Sequence, residues 1–279
     1  MKKLIFLTTF VLFLIFAPKA FAHELFIQVQ EDKASNELQI DVLWGHLRDF
    51  LDQANYENYE LFVRYPSGEV EQLDLEKIGV QARAFIPATE KGEYVFWATR
   101  KPGTYTPDDG VTRLSLQMAK TVHQVGSGNE TASEPVGLML EIVPETSLGN
   151  FTKGKLKGKV LLESEPLAEA TITAYGPDGE LLEGVSANDG FFEFDLQSNG
   201  EWLIKASFQT EEAGILEDTE YELVGRTTTL LVDTTNPSAN NAASTSTNPL
   251  SYIAVLIIGL LMGASITFIS LKKGGRNKK

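Results

Sequence analysis

Leu25-Phe26-Ile27-Gln28-Val29-Gln30, then Asp32-Lys33-Ala34-Ser35-Asn36, then Leu38-Gln39-Ile40-Asp41-Val42-Leu43-Trp44: two alternating runs flank a polar turn. In the first run Leu25, Ile27 and Val29 share one face. In the second Leu38, Ile40, Val42 and Trp44 do. A period of two is the mark of a half-buried strand, so the stretch predicts a β-hairpin. If Asp32 pairs with Glu37, counting back along both strands brings His23 opposite His46. Directly opposed residues in an antiparallel pair hold their Cβ atoms about 4.5–5.5 Å apart. A slip of one residue would put Gly45 opposite His23 and turn the histidine to the other face. Alternation sends the side chain of Glu24 away from His23.

The same pattern recurs along the chain. Leu61, Val63 and Tyr65 precede a Pro66-Ser67-Gly68 turn, and Tyr94, Phe96 and Ala98 alternate with Val95, Trp97 and Thr99. One short helix is expected near Leu47 to Ala54. Thr, Ser, Gly and Asn gather around Pro144 to Lys155, which marks a boundary. Beyond it come the turn signals Pro177-Asp178-Gly179, Asn188-Asp189-Gly190 and Asn199-Gly200, which supply the positive-φ positions of hairpins. Val160, Ile172, Phe192, Phe194, Trp202 and Ile204 are the expected core of this second unit, and it carries no chemistry. It reads as a spacer or docking module.

The two ends carry address signals. Met1-Lys2-Lys3, the apolar run Leu4 to Phe16 and Ala20-Phe21-Ala22 read as a secretory signal peptide over residues 1–22. Cleavage after Ala22 would give His23 a free α-amine beside its imidazole. Leu250 to Leu271 is apolar and uncharged, enough at about 1.5 Å per residue to cross ~30 Å of hydrocarbon. Lys272, Lys273, Arg276, Lys278 and Lys279 follow, so the tail 272–279 is expected in the cytoplasm and the rest outside. Residues 234–249, rich in Thr, Ser, Asn and Ala, read as a flexible tether. Gly259 and Gly263 stand four apart within the span, a spacing that lets helices approach closely and is also common without any such role.

Composition narrows the chemistry. The 279 residues include no cysteine, which excludes disulfides, thiolate metal sites and cysteine nucleophiles. The net charge is −14, and the basic residues of the two ends have no acids among them, so the exported part is more acidic still. That argues against nucleic acid as a partner. Three histidines remain: His23, His46 and His123. Two imidazoles and an amine form a nitrogen-rich set that suits nickel, copper, cobalt or zinc and not calcium or magnesium. His123, in Lys120-Thr121-Val122-His123, is a candidate further ligand or a surface strand residue. The alternative for all three is a surface or packing histidine, with Trp44 in the core. An N-terminal histidine paired with a second one also describes oxygen-activating copper sites. No nucleophile–base set accompanies it here, so no enzyme is expected.

Several segments resemble a known family. Ala22-His23-Glu24-Leu25-Phe26-Ile27 is similar to the exported start of NikM-like periplasmic domains, and Trp44-Gly45-His46 to their Gly-His element. Lys91-Gly92-Glu93-Tyr94-Val95, Pro102-Gly103-Thr104-Tyr105 and Ala119-Lys120-Thr121-Val122 are similar to later elements in the same order. The second unit resembles carboxypeptidase-regulatory-like, immunoglobulin-type repeats through Gly158-Lys159-Val160, Pro166-Leu167-Ala168-Glu169-Ala170, Asn188-Asp189-Gly190-Phe191-Phe192 and Gly200-Glu201-Trp202-Leu203-Ile204. The expected fold is all-β: two immunoglobulin-like β-sandwich domains, residues 23–145 and 156–233, joined by a linker at 146–155 and carried on a single C-terminal transmembrane helix. The resemblance implies capture of nickel or cobalt by His23 and His46. It makes the chain an accessory to the transmembrane subunits of a metal transporter, at the cell membrane with its domains periplasmic or on the cell surface. A copper-binding carrier and a ligand-free interaction protein are the competing expectations.

Overall fold

The structure, a computed structural model, describes residues 23–48, 51–53 and 55–235. The expected signal peptide 1–22, the tether beyond Thr235, the apolar segment 250–271 with Gly259 and Gly263, and the tail 272–279 lie outside the described residues. Among the described residues no helix is long and apolar enough to cross a membrane.

The chain is all-β. Its strands are β1 (Glu24–Asp32), β2 (Glu37–Gly45), β3 (Tyr59–Arg64), β4 (Val70–Leu73), β5 (Glu76–Ile78) and β6 (Gln81–Pro87). Then come β7 (Gly92–Tyr105), β8 (Arg113–Val125), β9 (Leu140–Pro144), β10 (Gly154–Leu162), β11 (Glu165–Pro166) and β12 (Thr171–Tyr175). The last six are β13 (Leu181–Val185), β14 (Phe191–Leu196), β15 (Glu201–Thr210), β16 (Gly214–Leu216), β17 (Thr219–Tyr221) and β18 (Leu223–Asp233). The helix expected near Leu47 to Ala54 is not seen in the described part of that stretch. Leu47 and Arg48 are bends and Leu51 bridges to Gly45, while residues 49, 50 and 54 lie outside the described set. The backbone N–H of Asp52 donates to the carbonyl of Trp44 (2.9 Å), so the segment folds back along the end of β2 instead of coiling.

The opening hairpin forms in the expected register, with Asp32 opposite Glu37 and Glu24 opposite Gly45. Its turn is held by Asp32, whose Oδ1 accepts from the N–H of Ala34 (2.9 Å), and by Asn36 at φ 57°. One sheet runs β1-β2-β6-β5; a second runs β11-β10-β14, with β9 also on β10. The largest runs β13-β12-β15-β18-β8-β7-β3-β4. Leu25, Ile27, Ile40 and Val42 pack with Leu61, Val63, Tyr94 and Phe96 in a first core. Val160, Ile172, Phe192, Phe194, Trp202 and Ile204 all lie in a second, joined there by Trp97 and Met118 from β7 and β8.

Two features were not written in the local pattern. The stretch 146–155 divides neither the cores nor the sheets: Leu138, Leu140 and Ile142, which precede it, lie in the second core, and β8 and β18 pair in parallel from Leu223 opposite Arg113 to Leu231 opposite Thr121. Phe26 and Leu43, on the polar side of the hairpin's alternation, are buried against Leu203 and Leu231. The turn chemistry of the second unit is also reused. Pro177–Gly179 joins the paired strands β12 and β13, but Asn188-Asp189-Gly190 and Asn199-Gly200 carry the chain between sheets, from β13 to β14 and from β14 to β15.

The segment between β8 and β9 has no strand of its own, so its backbone polar groups need other partners. Four buried charged side chains supply them. Glu93 accepts from the N–H groups of Thr131 and Ala132 (both 2.8 Å), and Arg64 donates to the carbonyls of Thr131, Glu134 and Pro135. Glu141 accepts from Val136, Gly137 and Leu138 and holds the Lys120 ammonium at 2.8 Å. Burial pulls the Lys120 amine below its ordinary pKa, and Glu141 opposes that pull.

Candidate metal centre

His23 stands one residue ahead of the Glu24–Gly45 pair and His46 one residue after it. Their imidazoles meet, with ring centroids 5.1 Å apart and planes tilted by 36°. Trp44 stacks on His23 at 5.7 Å and 15°, and the guanidinium of Arg100 lies 4.4 Å over the Trp44 ring. The His23 side chain is one-third exposed, that of His46 mostly covered.

Each imidazole has a carboxylate beside it. Asp52 Oδ2 is 2.8 Å from His23 Nε2, brought there by the bridge of Leu51 to Gly45. Glu24 Oε2 is 3.5 Å from His46 Nδ1. The expectation that Glu24 points away is corrected: Gly45 sits at φ 145°, so His46 leaves the strand and swings toward the face that Glu24 occupies. The other Glu24 oxygen holds Lys205 Nζ at 3.1 Å, and Lys205 also donates to the Tyr175 hydroxyl (2.8 Å). Burial alone would lower the Lys205 pKa, but the bonds to Tyr175 and Glu24 outweigh it and leave the amine raised.

Among the described residues no three His, Cys, Asp or Glu side chains converge as a metal-holding group. The histidine pair therefore needs a third donor from outside the side chains. A main-chain amine on His23 is the nearest one by chemistry. Binding through that amine and Nδ1 closes a six-membered chelate ring. A carboxylate at the far nitrogen of a metal-binding imidazole fixes the orientation of the ring, which is the place Asp52 takes on His23. With that amine, the pair would offer three nitrogen donors to a transition-metal ion; without it, the side chains offer two.

The profile of a family described as a domain of unknown function, DUF4198, matches residues 20–210. The chain belongs to the DUF4198 family. The match takes in both histidines of the pair, His123, and the stretch 146–155. No curated protein matches the chain. Among solved structures, it is similar to a biofilm associated protein, BSP domain, at 10% identity over 76% of this chain, with a TM-score of 0.19. The likeness spans 52% of that chain, about half its length, and so low a TM-score says nothing about shared fold or function.

In this DUF4198 domain the structure does not bring His123 to the other two. It sits on β8 opposite Tyr94, with Nε2 3.8 Å from Glu31 Oε2. Glu31 lies at the far end of β1 from His23, roughly 26 Å away at about 3.3 Å per residue. Burial lowers the His123 pKa below its usual value, with Glu31 pulling the other way. A histidine whose folded pKa is depressed binds its proton more readily when unfolded, so stability falls as pH drops through the window between the unfolded value near 6.5 and the lowered one. Urea titrations of wild type and His123→Asn at pH 7.5 and 5 check this. The wild type is expected to lose more stability on acidification, and equal losses would refute it.

Asp52, Lys205 and Arg100 were not singled out from sequence, and Glu24 was set aside on strand alternation. Asp52 lies in a stretch without periodicity, and Lys205 reaches Glu24 from a strand some 180 positions away, as read from their numbers.

Proposed function

We infer that this DUF4198 protein is a membrane-anchored, extracytoplasmic transition-metal-binding protein. It captures nickel or cobalt as cargo at His23 and His46 and hands it to the transmembrane subunits of a metal transporter. It acts as a carrier and not as an enzyme. The observation that carries this reading is the contact of the two imidazoles at 5.1 Å, each with its own carboxylate. The signal-like residues 1–22 support it, since cleavage after Ala22 would make the amine of His23 the third nitrogen donor. The apolar segment 250–271 with its basic tail supports a single-pass anchor. The NikM-like motif order supports nickel or cobalt. One feature favours a second reading, a copper carrier: the donor set is all nitrogen, and such sites generally prefer copper over nickel.

Calorimetric titration of the exported, signal-processed chain with Ni²⁺, Co²⁺, Cu²⁺ and Zn²⁺ tests the reading. Sub-micromolar, one-to-one binding is expected. Adding one residue ahead of His23 moves the amine away from Nδ1 and is expected to weaken binding on the order of 100-fold. Equal affinity with and without the added residue would sink the proposal, and the ranking of metals separates nickel or cobalt from copper.

A further inference from the structure

A cleft of about 610 Å³ opens beside the histidine pair, with His23 and Trp44 as one wall. Its floor is a face of the largest sheet. Ser207 is opposite Thr227, Thr227 opposite Gln117, and Gln117 opposite Arg100, so four polar side chains form one row across β15, β18, β8 and β7. Farther along the same strands, on the same face, this row gives way to Ala98, Ala119 and Leu231, which are buried in the cores. Thr229, next along β18 on the same face as Thr227, donates to the carbonyl of Leu25 near the start of β1, so β1 meets the sheet just beyond the polar row.

Two neighbours in that row are not satisfied by the protein. Arg100 Nε, a donor, and Gln117 Oε1, an acceptor, are shut off from solvent with no hydrogen-bond partner among the described residues. A buried polar group without a partner is unfavourable, so such atoms point to something that binds there. The ligand must offer an acceptor to Arg100 and a donor to Gln117 about one strand spacing apart. The charge is also unusual for so acidic a chain. Arg100 and Lys205 line the cleft against a single carboxylate, Glu24, which Lys205 already holds.

We propose that the cleft binds a small α-hydroxy- or α-amino-carboxylate, and that the metal arrives at His23 and His46 as its chelate. The carboxylate meets Arg100, and the hydroxyl or amine on the adjacent carbon meets Gln117. Compounds of this class bind transition metals through those same two groups. The cleft volume falls within the ~300–1,000 Å³ of small-molecule sites. This rests on the metal-binding reading and names the form in which the cargo comes.

Equilibrium dialysis of the signal-processed full chain in detergent tests it. Nickel chloride, nickel citrate, nickel with L-histidine, and metal-free citrate are offered in turn, and both metal and organic ligand are counted. Wild type is expected to retain about one citrate or histidine per nickel. Arg100→Gln is expected to lose the organic ligand by at least about tenfold. Gln117→Leu, which does not touch the imidazoles, should show the same loss with nickel chloride retained as in wild type. Nickel retained without its chelator, or equal chelator retention in wild type and both variants, overturns the proposal and leaves the metal-binding reading standing. If no form of nickel is retained, the metal-binding reading fails. Metal-free citrate then decides the cleft: retention lost in Arg100→Gln upholds an anion site, and no retention overturns it.

Discussion

Glu141→Leu is expected to lower the unfolding free energy by about 3–5 kcal/mol, the range for breaking a buried ion pair from one side. The Glu141 carboxylate is 1% exposed, and Lys120 beside it is fully buried. Leucine removes the charge that holds the Lys120 ammonium and also the acceptor for the N–H groups of Val136, Gly137 and Leu138. Each orphaned donor adds roughly 1–3 kcal/mol if water cannot reach it. Local opening of the segment between β8 and β9 would let water in and offset part of that. The double variant Lys120→Met with Glu141→Leu separates the contributions: it removes the stranded ammonium but not the stranded backbone groups. It is expected to recover part of the loss, with a coupling of about 1–3 kcal/mol between the two sites. Urea unfolding measures all three chains. A single variant within about 0.5 kcal/mol of wild type would mean that the pair does not hold this segment in place.

His46→Ala carries the second large effect, on binding and not on stability. On the proposed metal-binding reading, removing one of the two imidazoles takes away a direct ligand. Loss of a merely supporting outer group costs about 10–100-fold in metal affinity, so on the order of 100-fold or more is expected here. The fold should tolerate the change. His46 lies beyond the last hydrogen-bonded pair of the hairpin, and Glu24 keeps its bond to Lys205 without it. His123→Ala is the comparison, because it changes a histidine at the other end of β1. Unchanged affinity in His46→Ala, or an equal fall in His123→Ala, would mean that the metal is held elsewhere.

The opening hairpin was legible because its two alternating runs and their turn agree on a single register. That register alone put His23 beside His46. The carboxylates were hidden for different reasons. Glu24 follows strand alternation, but Gly45 swings His46 to meet it, and alternation does not describe a residue past a positive-φ glycine. Asp52 sits in a return segment shaped by its backbone bond to Trp44. Phe26 and Leu43 broke the polar face of the pattern and were the only local sign that this face is covered too. The two cores could be read from their apolar runs, but their union could not. A parallel pairing between strands about 110 positions apart, as β8 and β18 are, leaves no mark in either strand's own sequence.

That pairing sets an order of assembly. Synthesis runs from the N-terminus, and β18 is the last strand of the described chain. Until it is made, β8 presents an unpaired edge, and Thr229 cannot yet donate to the carbonyl of Leu25 at the start of β1 (2.6 Å). Contacts this far apart close slowly, and open edges invite pairing with other chains. The hairpin whose open end carries the histidine pair is therefore among the first elements to emerge and among the last to be locked. A nascent chain stopped short of residue 223 holds both imidazoles on a hairpin whose outer face still lacks Leu231 and whose neighbouring strand β8 still has an open edge.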